Sequence, residues 1–473
     1  MRKTPVLLLF VLCSMSSVRA TADPAALRLS LQGAIELALR KNTAVHEARG
    51  DLQIAQAQRA QARSGYWPRV NLMGGSIVME EAQKFSVPPG NINFDLAALG
   101  LPAIPGVFDP SKPVTNTDTL EIPITEQWIN FGLLTVTQPL FTGGMIRGYN
   151  HQAEHGLRFA KHSGRRTRQQ VIRTVVRRFN DVLLTRKIAE IAESTLSKVK
   201  VVREITERVF DAGSQKVNKL DVLKTQMFVT SLESFVETLR QARKLAGEGL
   251  TFAIGLEGGT RVEPVASDFD LTAVGQSCAQ SVKTALGMRP EVGQLKAGIA
   301  ALQAGVDVAW SRYLPDLALT GGYLIDDKSI RFTDGHTFFG GLVLNFNLFE
   351  GFLTNARVRE ARARVDKLRH KERYLVQGVS LQVRKACMDI ERAGKQVALT
   401  AKALRSAEEH LRLSDDGYQA DLVEMEDLLK AQLMEAVMRF QHLKARYDLS
   451  NYQLDLRAAM GDLSAYLPRR GRR

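Results

Sequence analysis

Three stretches of this sequence hold residue types that could do chemistry. His151-Gln-Ala-Glu-His155 has the H-x-x-E-H spacing. On a helix that spacing sets two imidazoles on one face for a zinc ion and leaves Glu154 as a base. Residues 158–178 carry Arg158, Lys161, Arg165, Arg166, Arg168, Arg173, Arg177 and Arg178, a run suited to phosphate. Residues 415–427 carry Asp415, Asp416, Asp421, Glu424, Glu426 and Asp427, carboxylates that attract cations. Each has a plainer reading. The histidines read as a solvated pair near a helix start. Within the basic run Phe159 is the one Phe, Tyr or Trp, too little aromatic interleaving for base stacking, which argues against nucleic acid. It reads instead as a collar facing anionic lipid or as a solvated helix face. The acidic run is either a solvated turn or the lining of a passage. No convergent catalytic set and no P-loop occur, so an enzyme is not expected, no cofactor or metal is called for, and energy input would come from a partner.

These residues need elements to position them. The chain has 473 residues, 24% charged, with a formal charge of +14. Arg2 and Lys3 precede an apolar run from Val6 to Cys13, followed by Val18-Arg19-Ala20. Residues 1–20 therefore read as a secretory signal peptide, too short in its apolar part to span a bilayer. A basic, exported chain suits an anionic lipid surface. Only Cys278 and Cys387 remain after the leader. They imply no disulfide framework, although one bridge is open to them in an oxidising compartment. Against the bridge, Cys387 falls in a long helix and Cys278 in a loop-like stretch. No apolar run of about 18 residues follows the leader, so a membrane helix is not expected and a β-barrel remains open.

The organising feature is a duplication. SGYWPRVNLMGG (64–75) returns as SRYLPDLALTGG (311–322), 247 positions on. Each copy has an Ala- and Gln-rich helical stretch, then Tyr-x-Pro, then alternating residues. Proline cannot continue a helix and pushes its neighbour into extended geometry. Val70, Leu72 and Val78 share one parity; so do Leu317, Leu319, Tyr323 and Ile325. A period of two means strands. A second strand follows in each copy: Leu134, Val136 and Leu140 against Thr135 and Thr137 in the first, Phe338, Leu342, Leu344, Phe346 and Leu348 against Asn345 and Asn347 in the second. These end at LFTGG (140–144) and LFEGF (348–352), where Gly143, Gly144 and Gly351 mark strand-to-helix junctions. Long helices come next. Val376, Val383, Ile390, Val397, Leu404 and Leu411 repeat every seven residues beside the smaller Val379, Ala386, Ala393, Thr400 and Ala407, an a/d seam. A helix from about Gly144 to Phe210 would be about 100 Å long. The unit is helix, strand, strand, long helix, return helix, present twice: residues 21–260 and 261–473. Four strands of about ten residues with one apolar face suit an outer-membrane barrel but leave open edges, so the chain must assemble with copies of itself. Two copies would make a filled eight-stranded barrel and three a twelve-stranded one with room for a pore.

On these marks the chain resembles the TolC-like outer-membrane efflux proteins. The marks are the junctions Tyr66, Pro68, Tyr313 and Pro315, with PLFTGG (139–144), ALGMRPEV (285–292), RVFDAGSQKVNKLDVLKTQ (208–226) and YQADLVEMEDLLKAQ (418–432). The resemblance implies a mixed α and β membrane protein: a homotrimer sharing a twelve-stranded β-barrel in the outer membrane of a Gram-negative bacterium and a helical barrel in the periplasm. It implies a passive exit duct for efflux or type I secretion, working with a periplasmic adaptor and an inner-membrane transporter, without nucleic acid. A periplasm-spanning structural or adhesive scaffold is the alternative. At the tip the resemblance implies an entrance at Tyr418, Asp421, Glu424, Asp427 and Lys430. Asp427 matches an entrance aspartate; Lys430 stands three residues on, where some relatives carry a second acid. Asn347 and Phe352 replace the usual Pro and Gly, and Asp421 the usual Gly. The two tips differ in length, so a docking partner should meet two unlike surfaces. The Pro-rich loop at 81–127, placed on the extracellular side, is expected to hold a lid or packing segment at 91–108, or else a plain surface excursion.

Overall fold

The computed structural model describes residues 27–87, 119–214, 217–271, 275–327, 334–420 and 422–467. The leader at 1–20, the segment 91–108 and Asp421 lie outside them. The first repeat supplies β1 (Leu27–Leu29), α1 (Leu31–Lys41), α2 (Thr43–Ser64), β2 (Arg69–Val78), β3 (Lys84–Val87), β4 (Leu120–Pro123), β5 (Trp128–Thr142), α3 (Met145–Asp211) and α4 (Lys219–Ile254). Then follow β6 (Val262–Pro264), α5 (Cys278–Met288), α6 (Pro290–Ser311), β7 (Asp316–Asp326), β8 (His336–Asn345), α7 (Leu353–Gln419) and α8 (Met425–Met460).

The duplication is kept in the helices. Matched helices have equal lengths: 11 residues in α1 and α5, 22 in α2 and α6, 67 in α3 and α7, 36 in α4 and α8. The correspondence reaches individual atoms. α4 ends at Gly255 and α8 at Gly461, the same place in each, with φ of 84° and 74°. A β-carbon at Gly255 would meet the backbone of Asn42 within 2.9 Å; one at Gly461 would meet that of Arg289 at 3.0 Å. Both glycines let a return helix close on the break between the two short helices, in a left-handed conformation where a side chain does not fit.

The chain forms two compact units, and each draws on both repeats. One comprises Leu52–Lys161 and Gln294–Glu372. It holds an antiparallel sheet in the order β2-β5-β7-β8, so the β5–β7 pairing joins the repeats. Leu72 lies opposite Leu134, Leu134 opposite Tyr323, and Tyr323 opposite Phe338, one row across four strands. Val70 opposite Val136, Leu319 opposite Leu342 and Leu317 opposite Leu344 share that face. The other face carries Asn71 with Thr135, and Arg69 with Thr137 and Thr320. β2 and β8 are exposed along their whole lengths, while β5 and β7 are mostly half-covered. β3 and β4 form a separate antiparallel pair, with Lys84 Nζ 2.8 Å from Glu121.

Two departures in the second repeat have local consequences. β5 runs on past Pro139, with an irregularity between Pro139 and Phe141, as expected where a strand residue has no N–H to donate. β8 stops at Asn345, and the Asn347 amide donates to Glu350 at 2.7 Å instead. Beyond it, Phe352 holds φ +65° in the place of Gly144, whose φ is +91°.

The other unit comprises Met1–Asp51, His162–Gly293 and Arg373–Arg473. Its largest core gathers Ile35, Phe179, Leu183, Leu250, Ile254 and Leu454, beside the parallel pair β1–β6. A smaller cluster joins Ala285 of α5 to Val379, Val383 and Ala386 of α7 and Leu456 and Met460 of α8. The α7 seam is real: Val379, Ala386, Ala393, Thr400 and Ala407 are all buried, as is Val383. The cysteines require a correction. Cys278 is the first residue of α5, capped by Ser277, and is bonded to Cys387, with Cα atoms 6.1 Å apart. The loop-like reading of Cys278 failed because small polar residues precede it. Those residues are a cap, and the helix behind them lies against α7.

Two outcomes follow. A left-handed conformation costs an L-residue about 1–2 kcal/mol. That exceeds the contact of Phe352 with Phe349, which lies at the low end of about 0.5–1.5 kcal/mol because the ring is 75% exposed. Phe352→Gly should melt no lower than the parent protein and Phe352→Val lower. In the seam, Ala393→Leu should destabilise by about 1–3 kcal/mol through overpacking, and Val383→Leu by less, both read from thermal unfolding in detergent.

Candidate functional site

The two helix turns of the second unit are built differently at matching positions. α4 starts with a capping box: the Asn218 side chain accepts from Asp221 N–H at 3.1 Å, and Asp221 accepts in return from Asn218 N–H at 3.1 Å. Glu424 holds the matching place before α8 and makes no side-chain cap. Glutamate is one methylene too long to return to its own helix, so the α8 turn lacks the lock that α4 has. Asp427, the counterpart of Asp221, is thereby left to other partners. Its neighbour is Lys430, whose Nζ lies 3.5 Å away.

Lys430 has a nearer partner. Its Nζ lies 2.9 Å from Glu426 Oε1, while Lys224 of α4 donates to Glu426 Oε2 at 2.6 Å. Lys224 and Lys430 occupy the same position in α4 and α8, and both converge on one carboxylate. The Lys224 hydrogen bond, seconded by Lys430, draws the Glu426 carboxyl down from 4.5 to about 2. The same bonds raise both lysines. Two lysines thus face Glu426 and Asp427, and their charges balance. Other acids of the run are also engaged: Arg412 lies 3.3 Å from Asp416, and the Gln419 amide donates to Asp415 at 3.3 Å.

Under this polar layer Tyr418, Leu411 and Met425 pack against Val199, Val202, Val229, Leu428 and Leu429. Tyr418 is therefore part of an apolar floor shared by all four long helices. Glu424 is the cap position before α8, and Asp427 and Lys430 lie in its first two turns. Glu426 and Lys224 were missed in the sequence, although two signals were present. Glu426 precedes Lys430 by four residues, the favourable order on a helix. The repeat register pairs Lys224 with Lys430.

The other candidates fall elsewhere. Tyr66 and Pro68 sit between α2 and β2, Tyr313 and Pro315 between α6 and β7, and Gly143, Gly144 and Gly351 at strand-to-helix turns. Tyr66 and Trp67 are exposed, and Trp310 meets Tyr313 edge-on at 5.9 Å, so each junction carries an aromatic pair. Such rings suit a membrane–water boundary. His151 and Glu154 border a surface cleft with Arg59, Arg63, Tyr66 and Trp67, and Glu154 is bound by Arg158 at 2.9 Å. Much of the basic run is likewise paired: Arg173 and Arg177 share Asp455, Arg178 meets Asp181 and Arg166 meets Glu291. No helix among the described residues is long and apolar enough to cross a membrane.

Residues 282–462 match the family model described as outer membrane efflux protein. Nodulation protein T of Rhizobium leguminosarum bv. trifolii is 22% identical over 332 residues, 69% of this chain and 70% of the relative. Among solved structures, CusC aligns with a TM-score of 0.72 at 17% identity, covering 92% of both chains. The MtrE outer membrane channel of Neisseria gonorrhoeae aligns at 0.70 and 16%, covering 91% of this chain and 89% of its own. At these identities the likeness to the solved structures is one of fold.

The Glu426 tie has a defined pH range. Because its folded value lies below 4.5, the stability it supplies is complete above 4.5 and is lost as pH falls through about 2. Amide exchange at the start of α8 should stay unchanged from pH 7 to 5 in its Glu426-dependent part. Glu426→Gln should accelerate it at neutral pH, and a variant with unaltered exchange would show that the tie holds nothing.

Proposed function

We propose that this chain is the outer-membrane exit duct of a tripartite efflux or type I secretion system, a passive conduit assembled from three copies. The observation that carries the reading is the four-stranded sheet with both edge strands exposed throughout. Its apolar face includes Leu72 at 80%, Phe338 at 78% and Leu344 at 66% exposure, surface that suits lipid and not water. In hydrocarbon an unpaired backbone group costs several kcal/mol, so a spanning sheet must close. Pairing β8 of one copy with β2 of the next repeats the antiparallel pattern and removes every edge. Three copies make twelve strands, wide enough for a pore lined by the face that bears Asn71, Thr135, Thr137 and Thr320.

The fold likeness to outer membrane channels and the family match over 282–462 support this reading. So does the Cys278–Cys387 bond, since such bonds persist outside the cytoplasm. In this reading residues 1–20 direct export, and the repeats 21–260 and 261–473 each supply two strands and one long hairpin. The helices extend into the periplasm of a Gram-negative cell. A periplasmic adaptor meets the unlike turns before α4 and α8, and an inner-membrane transporter supplies the energy.

At the turn before α8, Glu424, Asp427 and Lys430 form the entrance, above the apolar floor that includes Tyr418. Lys430, engaged with Glu426 and Asp427, offsets the acidic ring that three copies of Asp427 would make. The entrance is therefore less cation-selective than one with two acids per copy. Purified protein should behave as a trimer by light scattering and conduct in planar bilayers; a monodisperse monomer, or a trimer without conductance, would remove the duct. Divalent cations added on the periplasmic side should block weakly. Lys430→Asp should strengthen that block and Asp427→Ala weaken it, and no change in either would mean these residues do not line the passage.

A further inference from the structure

The repeat register gives the disulfide a counterpart. Counted from the first residue of each helix, Cys278 of α5 stands where α1 has Leu31, and Cys387 of α7 stands where α3 has Phe179. In the first repeat both residues belong to one apolar cluster, and Phe179 is among the largest fully buried side chains. In the second repeat the residues at these two positions are joined by a covalent bond.

The rest of the two interfaces differs in the same direction. α1 buries Ala34, Ile35 and Ala38 completely, and the Asn42 amide at its end donates to Ala253 O at 2.9 Å. α5 buries Ser281 and Ala285, with Val282 only half-buried in the place of Ile35. Arg289, in the place of Asn42, reaches Gln382 of α7 at 2.7 Å. So α5, which packs against Leu456 and Met460 of α8 as well as against α7, has a serine for an alanine and a valine for an isoleucine, and the pair Cys278 and Cys387 stands for a leucine and a phenylalanine. Burial alone holds α5 more weakly than it holds α1, because the apolar surface removed from water is smaller.

We propose that the Cys278–Cys387 bond is a covalent replacement for the apolar contact that seats α1. It makes the seating of α5 on α7, beside the contact α5 makes with α8, depend on oxidation, while the first repeat docks without it. The proposal rests on the chain's export and not on its conducting. The chemistry requires a disulfide-bearing oxidant outside the cytoplasm. One cysteine thiolate attacks the oxidant's disulfide and releases one of its thiols. The second cysteine, deprotonated, attacks the mixed disulfide and releases the other. Two electrons pass to the oxidant, which leaves as a dithiol, and two protons leave the cysteines and end on the oxidant's thiols. Cys278 is half-exposed between the exposed Ser277 and Ala279, which leaves it open to attack. The bond closes a loop with a sequence separation of 109, so it forms only after α7 has been made.

The test uses full-length protein isolated from the cell envelope in the presence of an alkylating agent. Both cysteines should escape alkylation; alkylation of both would overturn the proposal at once. Hydrogen exchange is then compared with and without a mild reductant. Amides of α5, residues 278–288, should exchange at least about tenfold faster after reduction, and those of α1, residues 31–41, at an unchanged rate. Equal acceleration in both helices, or none in α5, would overturn it. Cys278→Ser with Cys387→Ser should match the reduced protein in either buffer. Cys278→Leu with Cys387→Phe, which installs the first repeat's pair, should protect α5 regardless of reductant. Reduction of the native chain decides the matter even where that pair fails to pack. No arm reads conductance, so a failure here is distinct from a failure of the duct.

Discussion

A sheet of four strands leaves two rows of backbone N–H and C=O groups without partners, and this constraint governs the rest of the chain. The rows lie on β2 and β8, the first strand that one repeat gives to this sheet and the last that the other gives. Duplication produces that arrangement directly: each repeat brings a pair of strands, β5 meets β7 in the middle, and the outer strands remain to be satisfied. The helices cannot satisfy them, because their own backbone N–H and C=O groups are already paired along each helix. Only another sheet edge of the same register can. The apolar row from Leu72 to Phe338 adds a second demand, that the medium around one face be non-aqueous.

The repeats keep equal helix lengths while diverging at particular contacts, and the divergence has a pattern. Where the first repeat uses local backbone satisfaction or burial, the second uses something else. Asn218 caps α4, but Glu424 does not cap α8. Gly144 turns freely, but Phe352 turns under strain. Leu31 and Phe179 pack, but Cys278 and Cys387 bond. The second repeat is the less self-sufficient copy at each of these places. The Lys224–Glu426 contact bears this out at the tip, where the α8 turn is held by a lysine from the first repeat.

Most of the architecture was legible because periodicity is a physical signal. Residues two apart share a strand face and residues seven apart share a helix seam, so Leu72, Leu134, Val383 and Ala386 could be placed before any coordinates. The Tyr-x-Pro junctions were legible because proline forbids helix. What escaped depended on distance in the chain. Cys278 looked like loop, since its helix is short and its partner lies on another element. Glu426 was seen only as one acid among six, because the lysine that grips it most closely sits in α4. Ion pairs between elements leave no period to read. The repeat register was the available substitute: it sets Lys224 against Lys430, and it identifies Phe179 as the residue Cys387 replaces.

The matched lengths of α3 and α7 imply a restriction on how such a chain can change. Removing one residue from α7 would rotate everything beyond the cut by about 100° and draw it back by about 1.5 Å. Val379, Ala386 and Ala393 upstream and Thr400 and Ala407 downstream would then face different directions, and the seam would break in two. Seven residues, about two turns, would restore the facing, but only if α8 lost the same number so that Glu426 still met Lys224. The first repeat would have to follow, since its turn shares an apolar floor with the second. Insertions and deletions in the long helices are therefore admissible only as coordinated sets of whole heptads. Point substitutions, which leave the count intact, are the route by which the two halves have been free to become different.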